Sequence, residues 1–134
     1  MNVIICLDDN KGMLFNNRRQ SRDKAVLSDI FKDLQGEQLY ITPFSEKLLA
    51  EYSDRIIICG SVSGIGNGQW FFCENVDLRA FDDNIEKLVV YKWNRAYPSD
   101  MKCELDFSLF SLVSESEFEG NSHSVITKEI FVKG

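Results

Sequence analysis

Apolar positions along the chain fall into two kinds of pattern, short continuous runs and stripes of helical period, and the two alternate over the first two thirds of the sequence. Met1 to Leu7 (MNVIICL) is a continuous run that suits a strand covered on both faces, and DDNKG closes it with a turn in which Asp8 and Asp9 are turn residues. From Ser21 the period changes. Val26, Ile30 and Leu34 recur with Leu27 and Phe31 at helical spacing, Ser21 is placed to cap the helix, Asp23 suits its dipole and Gly36 stops it. QLYIT predicts a strand, and Thr42-Pro43 then opens a second helix whose stripe is Phe44, Leu48, Leu49 and Tyr52. Arg55 to Cys59 (RIIIC) predicts another buried strand, WFFC an aromatic one, and Val76 to Ile85 a short helix. The segments KLVVYKW, FSLFSLV and SVITKEIFV, rich in β-branched and aromatic residues, close the chain as strands with no helix between them.

Strands separated by helices, then strands alone, predict a single α/β domain over residues 1–134. Its central sheet is mostly parallel, flanked by helices, and ends in an antiparallel strand at the C-terminus. Composition agrees: 44% hydrophobic residues in 134 supply one core, and no segment reaches the roughly 18 consecutive apolar residues of a membrane-spanning helix. The expected address is the cytoplasm. Cys6, Cys59, Cys73 and Cys103 lie far apart beside apolar runs, as reduced core thiols do.

A net charge of −6 argues against nucleic acid as a partner unless a local basic patch exists, and NNRRQSRD is the one place that offers it. Arg18, Arg19 and Arg22 stand just ahead of a helix start, where guanidinium forks and helix amides together favour phosphate or carboxylate. The competing reading is a surface loop whose cations balance nearby acids. Other motifs carry less. GSVSGIGNG lacks the following helix and acidic residue of a dinucleotide fingerprint, and SESEFE suits a solvated hairpin. A single histidine, His123, and no thiol pair leave no metal site, so His123 is assigned a structural hydrogen bond in the last hairpin. A Ser-His-Asp triad is not excluded by counting, although no serine sits in a Gly-x-Ser-x-Gly elbow.

The element order and several strings resemble dihydrofolate reductase. VIICLDDNKGML is similar to that family's first strand and loop, FFCENVDLRAFDDNIEKLVVYKWNRAYPSDMKCEL follows its run from strand through short helix to strand, and FSLVSESEFEGNSHSVITKEIFV resembles its closing hairpin with an Asn-Ser-His element. The resemblance implies a loop closing over nicotinamide, a buried carboxylate that polarises a pterin, and backbone cradles for cofactor phosphates. Each is altered in this sequence. Met13 and Leu14 stand where the family has Ile-Gly; Thr42, Pro43, Phe44 and Ser45 stand for Gly-Arg-x-Thr; Cys73, Glu74 and Asn75 replace a Gly-Gly pair. The carboxylate position falls on Asp23 when counted from the helix start and on Val26 when counted back from LYI.

These changes imply a divergent dihydrofolate-reductase-like domain that has lost NADPH-dependent reduction and takes a small anionic or nucleotide-like ligand near the arginines. The candidate ligand-binding residues are Leu14, Arg18, Arg19, Arg22, Asp23 and Leu27, with Asp23 the candidate catalytic group. Two alternatives stay open: an active reductase with rearranged NADPH contacts, and a non-enzymatic interaction protein that uses the arginine loop to hold an acidic protein partner or nucleic acid.

Overall fold

A computed structural model describes all residues, 1–134. Its strands are β1 (Asn2–Leu7), β2 (Gly12–Phe15), β3 (Arg18–Arg19), β4 (Leu39–Ile41), β5 (Ile56–Ile58), β6 (Trp70–Cys73), β7 (Lys87–Lys92), β8 (Met101–Lys102), β9 (Phe110–Phe118) and β10 (Ile126–Lys133). One α-helix, α1, spans Lys24–Leu34. The main sheet has the order β5-β4-β6-β1-β7-β10-β9, and β3, β2 and β8 form a small second sheet beside it. β4, β5, β6, β1 and β7 run parallel, whereas β10 is antiparallel to both β7 and β9. The expected mostly parallel sheet with a C-terminal antiparallel element is therefore present.

The central position of β1 explains its unbroken apolar sequence. Val3, Ile5 and Leu7 face the core layer that also holds Phe71, Leu88 and Val90, while Ile4 faces the layer built on α1. Val26, Ile30, Phe31 and Leu34 form the buried stripe of α1. Asp23, not Ser21, is its N-cap: the residue is extended, and its side chain accepts a hydrogen bond from the Ala25 N–H. At the other end Gln35 adopts the left-handed conformation with Gly36 after it, so the helix stops where the glycine predicts.

The second predicted helix is not α-helical. Pro43–Ser45 and Ala50–Arg55 are separate 3₁₀ turns, and Tyr52 has non-helical dihedrals. The apolar stripe still works as packing, with Leu49 buried and Tyr52 stacked on Phe31 at 4.0 Å between centroids. Leu78–Asn84 is likewise a 3₁₀ segment. β5, expected to be buried, is an edge strand that exposes Ile57 and Ile58. All four cysteines are free, with Cys73 and Cys103 buried. No helix is long and apolar enough to cross a membrane.

Candidate functional site

The stretch with three arginines is a tight hairpin. Asn16 and Asn17 both take positive φ, 51° and 58°, as the central pair of a two-residue turn joining β2 to β3. Phe15 pairs with Arg18 and Leu14 with Arg19, so the arginines alternate across the ribbon. Arg18 points out to solvent, and Arg19 turns inward. Asp8 anchors the base of this unit: nearly fully buried, it accepts from the N–H groups of Asn10, Gly12 and Tyr97 and from Gln20 Nε2. Burial opposes ionisation of Asp8, but these donors outweigh it and hold its pKa below the ordinary carboxylate value. Gly12 fits closely there: a Cβ would stand 2.9 Å from both Ser99 Cβ and Asp8 Oδ1.

Arg19 makes a bidentate pair with Glu74 at the end of β6, Nε to Oε2 at 2.8 Å and Nη2 to Oε1 at 2.9 Å. Ser45 Oγ donates to the same carboxylate at 2.7 Å, and the guanidinium lies 5.2 Å from the Phe44 ring centroid. Thr42 Oγ1 donates to Asn75 Oδ1 at 3.0 Å. The first hairpin, the segment after β4 and the end of β6 are thus bonded to one another. The cavity they enclose, with Cys6, Met13 and Phe72 among its walls, has a volume of about 20 Å³, room for one water.

Asp23 is the other organising group. Its carboxylate is fully buried and accepts from the N–H groups of Asn121 and Ser122, each at 2.8 Å, and of His123 at 3.1 Å. His123 Nδ1 lies 2.9 Å from Asp23 Oδ2. Burial raises the pKa of such a group, yet the sum of these donors keeps Asp23 far below the usual carboxylate range. The His123 ring stacks on Trp93 at 4.7 Å, and its Nε2 faces Ser21 Oγ and Tyr97 Oη, each at 3.0 Å. Gly120 lets the hairpin close over Asp23, since a Cβ there would meet His123 O at 2.5 Å.

Arg22, Asp23 and Leu27 line a groove of about 440 Å³ next to the small cavity, together with Lys24, Leu48 and Tyr52. Arg18 and Arg19 border a second concavity with Tyr97 and Pro98 on the far side of the hairpin. Leu14 is buried in the core layer under the hairpin and does not reach the groove. Val26 lies in the cavity wall one turn from Asp23, so both positions considered for the carboxylate face the cavity, and only one of them carries an acid.

No protein-family model matches the sequence, and no curated protein sequence matches it. Among solved structures, the dihydrofolate reductase of Enterococcus faecalis complexed with NADP(H) and RAB-propyl superposes with a TM-score of 0.72 at 8% identity. The match covers 99% of this chain and 95% of that one. The fold is that of dihydrofolate reductase. On that fold the altered segments of the sequence meet at one place: the Arg19–Glu74–Ser45 cluster joins the first loop, the turn after β4 and the end of β6. Sequence reasoning identifies those three segments but not their mutual bonding. It places His123 in the last hairpin correctly and misses its partner, Asp23, 100 residues away.

Proposed function

We propose that this chain is a divergent dihydrofolate-reductase-like domain that does not carry out NADPH-dependent reduction and instead holds a small ligand with an anionic group in the groove beside α1. The observation that carries the first half is the Arg19–Glu74–Ser45 cluster. Its residues do not fit a dinucleotide phosphate: Glu74 places a carboxylate where the family resemblance expects backbone amides, Pro43 has no N–H to offer, and Arg19 is already satisfied by Glu74. Asp23, the candidate catalytic acid, spends its lone pairs on the hairpin that contains His123 and has no exposed oxygen for a substrate.

The ligand half rests on the groove. Leu27, Leu48 and Tyr52 give it an apolar floor, Arg22 and Lys24 stand on its rim, and neither cation is in an ion pair. Asp23 lies in the same wall with its carboxylate paired to the last hairpin, and Glu51 stands on the rim, so selectivity for anions depends on the two cations at the α1 end. Among the candidate residues, Arg22, Asp23 and Leu27 line both this groove and the small cavity, whereas Arg19 lines the cavity and not the groove.

The test is a thermal-shift series with 2-naphthoate and its neutral analogue 2-naphthalenemethanol. A ligand at about 100 times its Kd adds roughly 2.7 kcal/mol, which for a domain of this size raises Tm by roughly 10 °C. The naphthoate is expected to stabilise the protein more than the alcohol, and Arg22→Ala with Lys24→Ala to remove the difference. Equal shifts for acid and alcohol would refute the anion site.

A further inference from the structure

We propose that Ser21, His123 and Asp23 form a nucleophilic triad that hydrolyses small carboxylic esters. Two distances define it. Asp23 Oδ2 lies 2.9 Å from His123 Nδ1, and His123 Nε2 lies 3.0 Å from Ser21 Oγ. Asp23 is ionised, because the backbone N–H groups of Asn121, Ser122 and His123 all point at its oxygens. With Nδ1 directed at Asp23, Nε2 faces Ser21 Oγ, the arrangement a general base needs, and Tyr97 Oη at the same distance. Trp93 stacks on one face of the ring, and Tyr97 Oη holds its outer edge at 3.0 Å from Nε2, so the imidazole is held from several sides.

The surroundings supply the remaining parts. Ser21 is half-buried and lines the one-water cavity, while the adjacent Arg22 and Asp23 line both that cavity and the groove. Ser21 itself lines only the cavity, and the groove begins at the next residue, Arg22. Arg22, the residue after the serine, has a backbone N–H that donates to no protein acceptor, as does Lys24 at the first position of α1. A free amide following the nucleophile, near a helix N-terminus, is the kind of donor that stabilises an oxyanion. The arrangement does not depend on a Gly-x-Ser-x-Gly elbow, since triads are defined by geometry and not by sequence order.

The reaction balances with water as the only co-reactant. Ser21 Oγ bonds to the ester carbonyl carbon as its proton passes to His123 Nε2, and the carbonyl electron pair moves to oxygen. The tetrahedral carbon then expels the alcohol, which leaves with the proton from Nε2. Water attacks the acyl carbon, gives its proton to Nε2, and breaks the Oγ–carbon bond; Oγ recovers the proton and a carboxylic acid departs. The preferred substrate carries an anionic group, a preference that rests on the groove proposed above, whereas the nucleophile does not.

The experiment is labelling of the intact protein with an uncharged alkyl fluorophosphonate, with the modified residue mapped by mass spectrometry. A stoichiometric adduct on Ser21 is expected, absent in Ser21→Ala and formed about 10²-fold more slowly or worse in His123→Gln. No adduct under conditions that fully label a known serine esterase, an adduct on another residue, or equal labelling of protein unfolded in urea would overturn the triad. Hydrolysis of the p-nitrophenyl monoester of succinate is then compared with that of p-nitrophenyl acetate. Faster turnover of the succinate ester, lost in Arg22→Ala, supports the substrate class; labelled Ser21 without that preference overturns the groove assignment and leaves the nucleophile standing.

Discussion

Replacing Asp23 by asparagine changes neither the size nor the shape of the side chain, yet it is expected to be among the most damaging single substitutions in this protein. The carboxylate is fully buried and receives donors on both oxygens: Ala25 N and Asn121 N on Oδ1, Ser122 N, His123 N and His123 Nδ1 on Oδ2. An amide has one oxygen. Whichever way the asparagine side chain turns, its NH₂ faces at least two N–H groups with no acceptor. Each buried donor left unpaired costs about 1–3 kcal/mol, so Asp23→Asn should lose about 2–6 kcal/mol. With an unfolding entropy of about 0.28 kcal/mol/K for a domain of this length, Tm should fall by about 7–20 °C.

The pH dependence gives a second readout. The folded pKa of Asp23 lies well below its unfolded value, so its stabilisation is fully present above the ordinary carboxylate range, from about pH 5 upward. It is lost progressively as pH falls toward the folded pKa. Urea unfolding at neutral pH and at about pH 3 should show the gap between native and variant narrowing at the lower pH. A loss under about 1 kcal/mol at neutral pH, or a gap independent of pH, would refute the assignment of Asp23 as the acceptor for the last hairpin.

Other substitutions probe the remaining contacts. Glu74→Ala leaves the half-buried Arg19 without its bidentate partner and should cost about 1–3 kcal/mol in urea unfolding, whereas an effect within about 0.5 kcal/mol would mean that solvent already screens the pair. Gly120→Ala drives a Cβ to within 2.5 Å of the His123 carbonyl and should cost about 1–3 kcal/mol, read as a lower Tm. Asn17→Val places a β-branched residue at φ 58° and should cost about 1–2 kcal/mol, whereas Asn17→Gly should be neutral or stabilising in the same assay.

What is legible in the sequence follows from the range of each signal. β1 and α1 announce themselves because burial on both faces and a 3.6-residue stripe are local properties of MNVIICL and of Val26, Ile30 and Leu34. The cap of α1 lies two residues beyond the expected serine because Ser21 and Asp23 are both good capping types, and what decides between them is a tertiary partner. Asp23 Oδ1 also holds Asn121 N, while Ser21 is drawn to His123. The segment from Pro43 to Tyr52 carries a genuine apolar stripe, but short turns pack Leu49 and Tyr52 as well as a helix would, and periodicity does not separate the two.

The site is half legible. Arg18, Arg19 and Arg22 form a visible cluster, but the sequence reads only as a loop at Asn16-Asn17, where the structure has the hairpin that sends alternate arginines to opposite sides. Nothing local to Arg19 indicates Glu74, 55 positions later, and nothing local to Asp23 indicates His123. Those pairs exist because parallel strands bring the end of β6 and the first hairpin together and because the last hairpin folds back over the start of α1.

The central question is whether the Arg19–Glu74–Ser45 cluster bars the cofactor from the fold. Isothermal titration of the protein with NADPH at moderate salt tests this most directly. No saturable heat is expected up to millimolar cofactor, in the native protein and equally in Asp23→Asn. Saturable one-to-one binding of NADPH by the native protein, accompanied by oxidation of the cofactor when dihydrofolate is added, would contradict it.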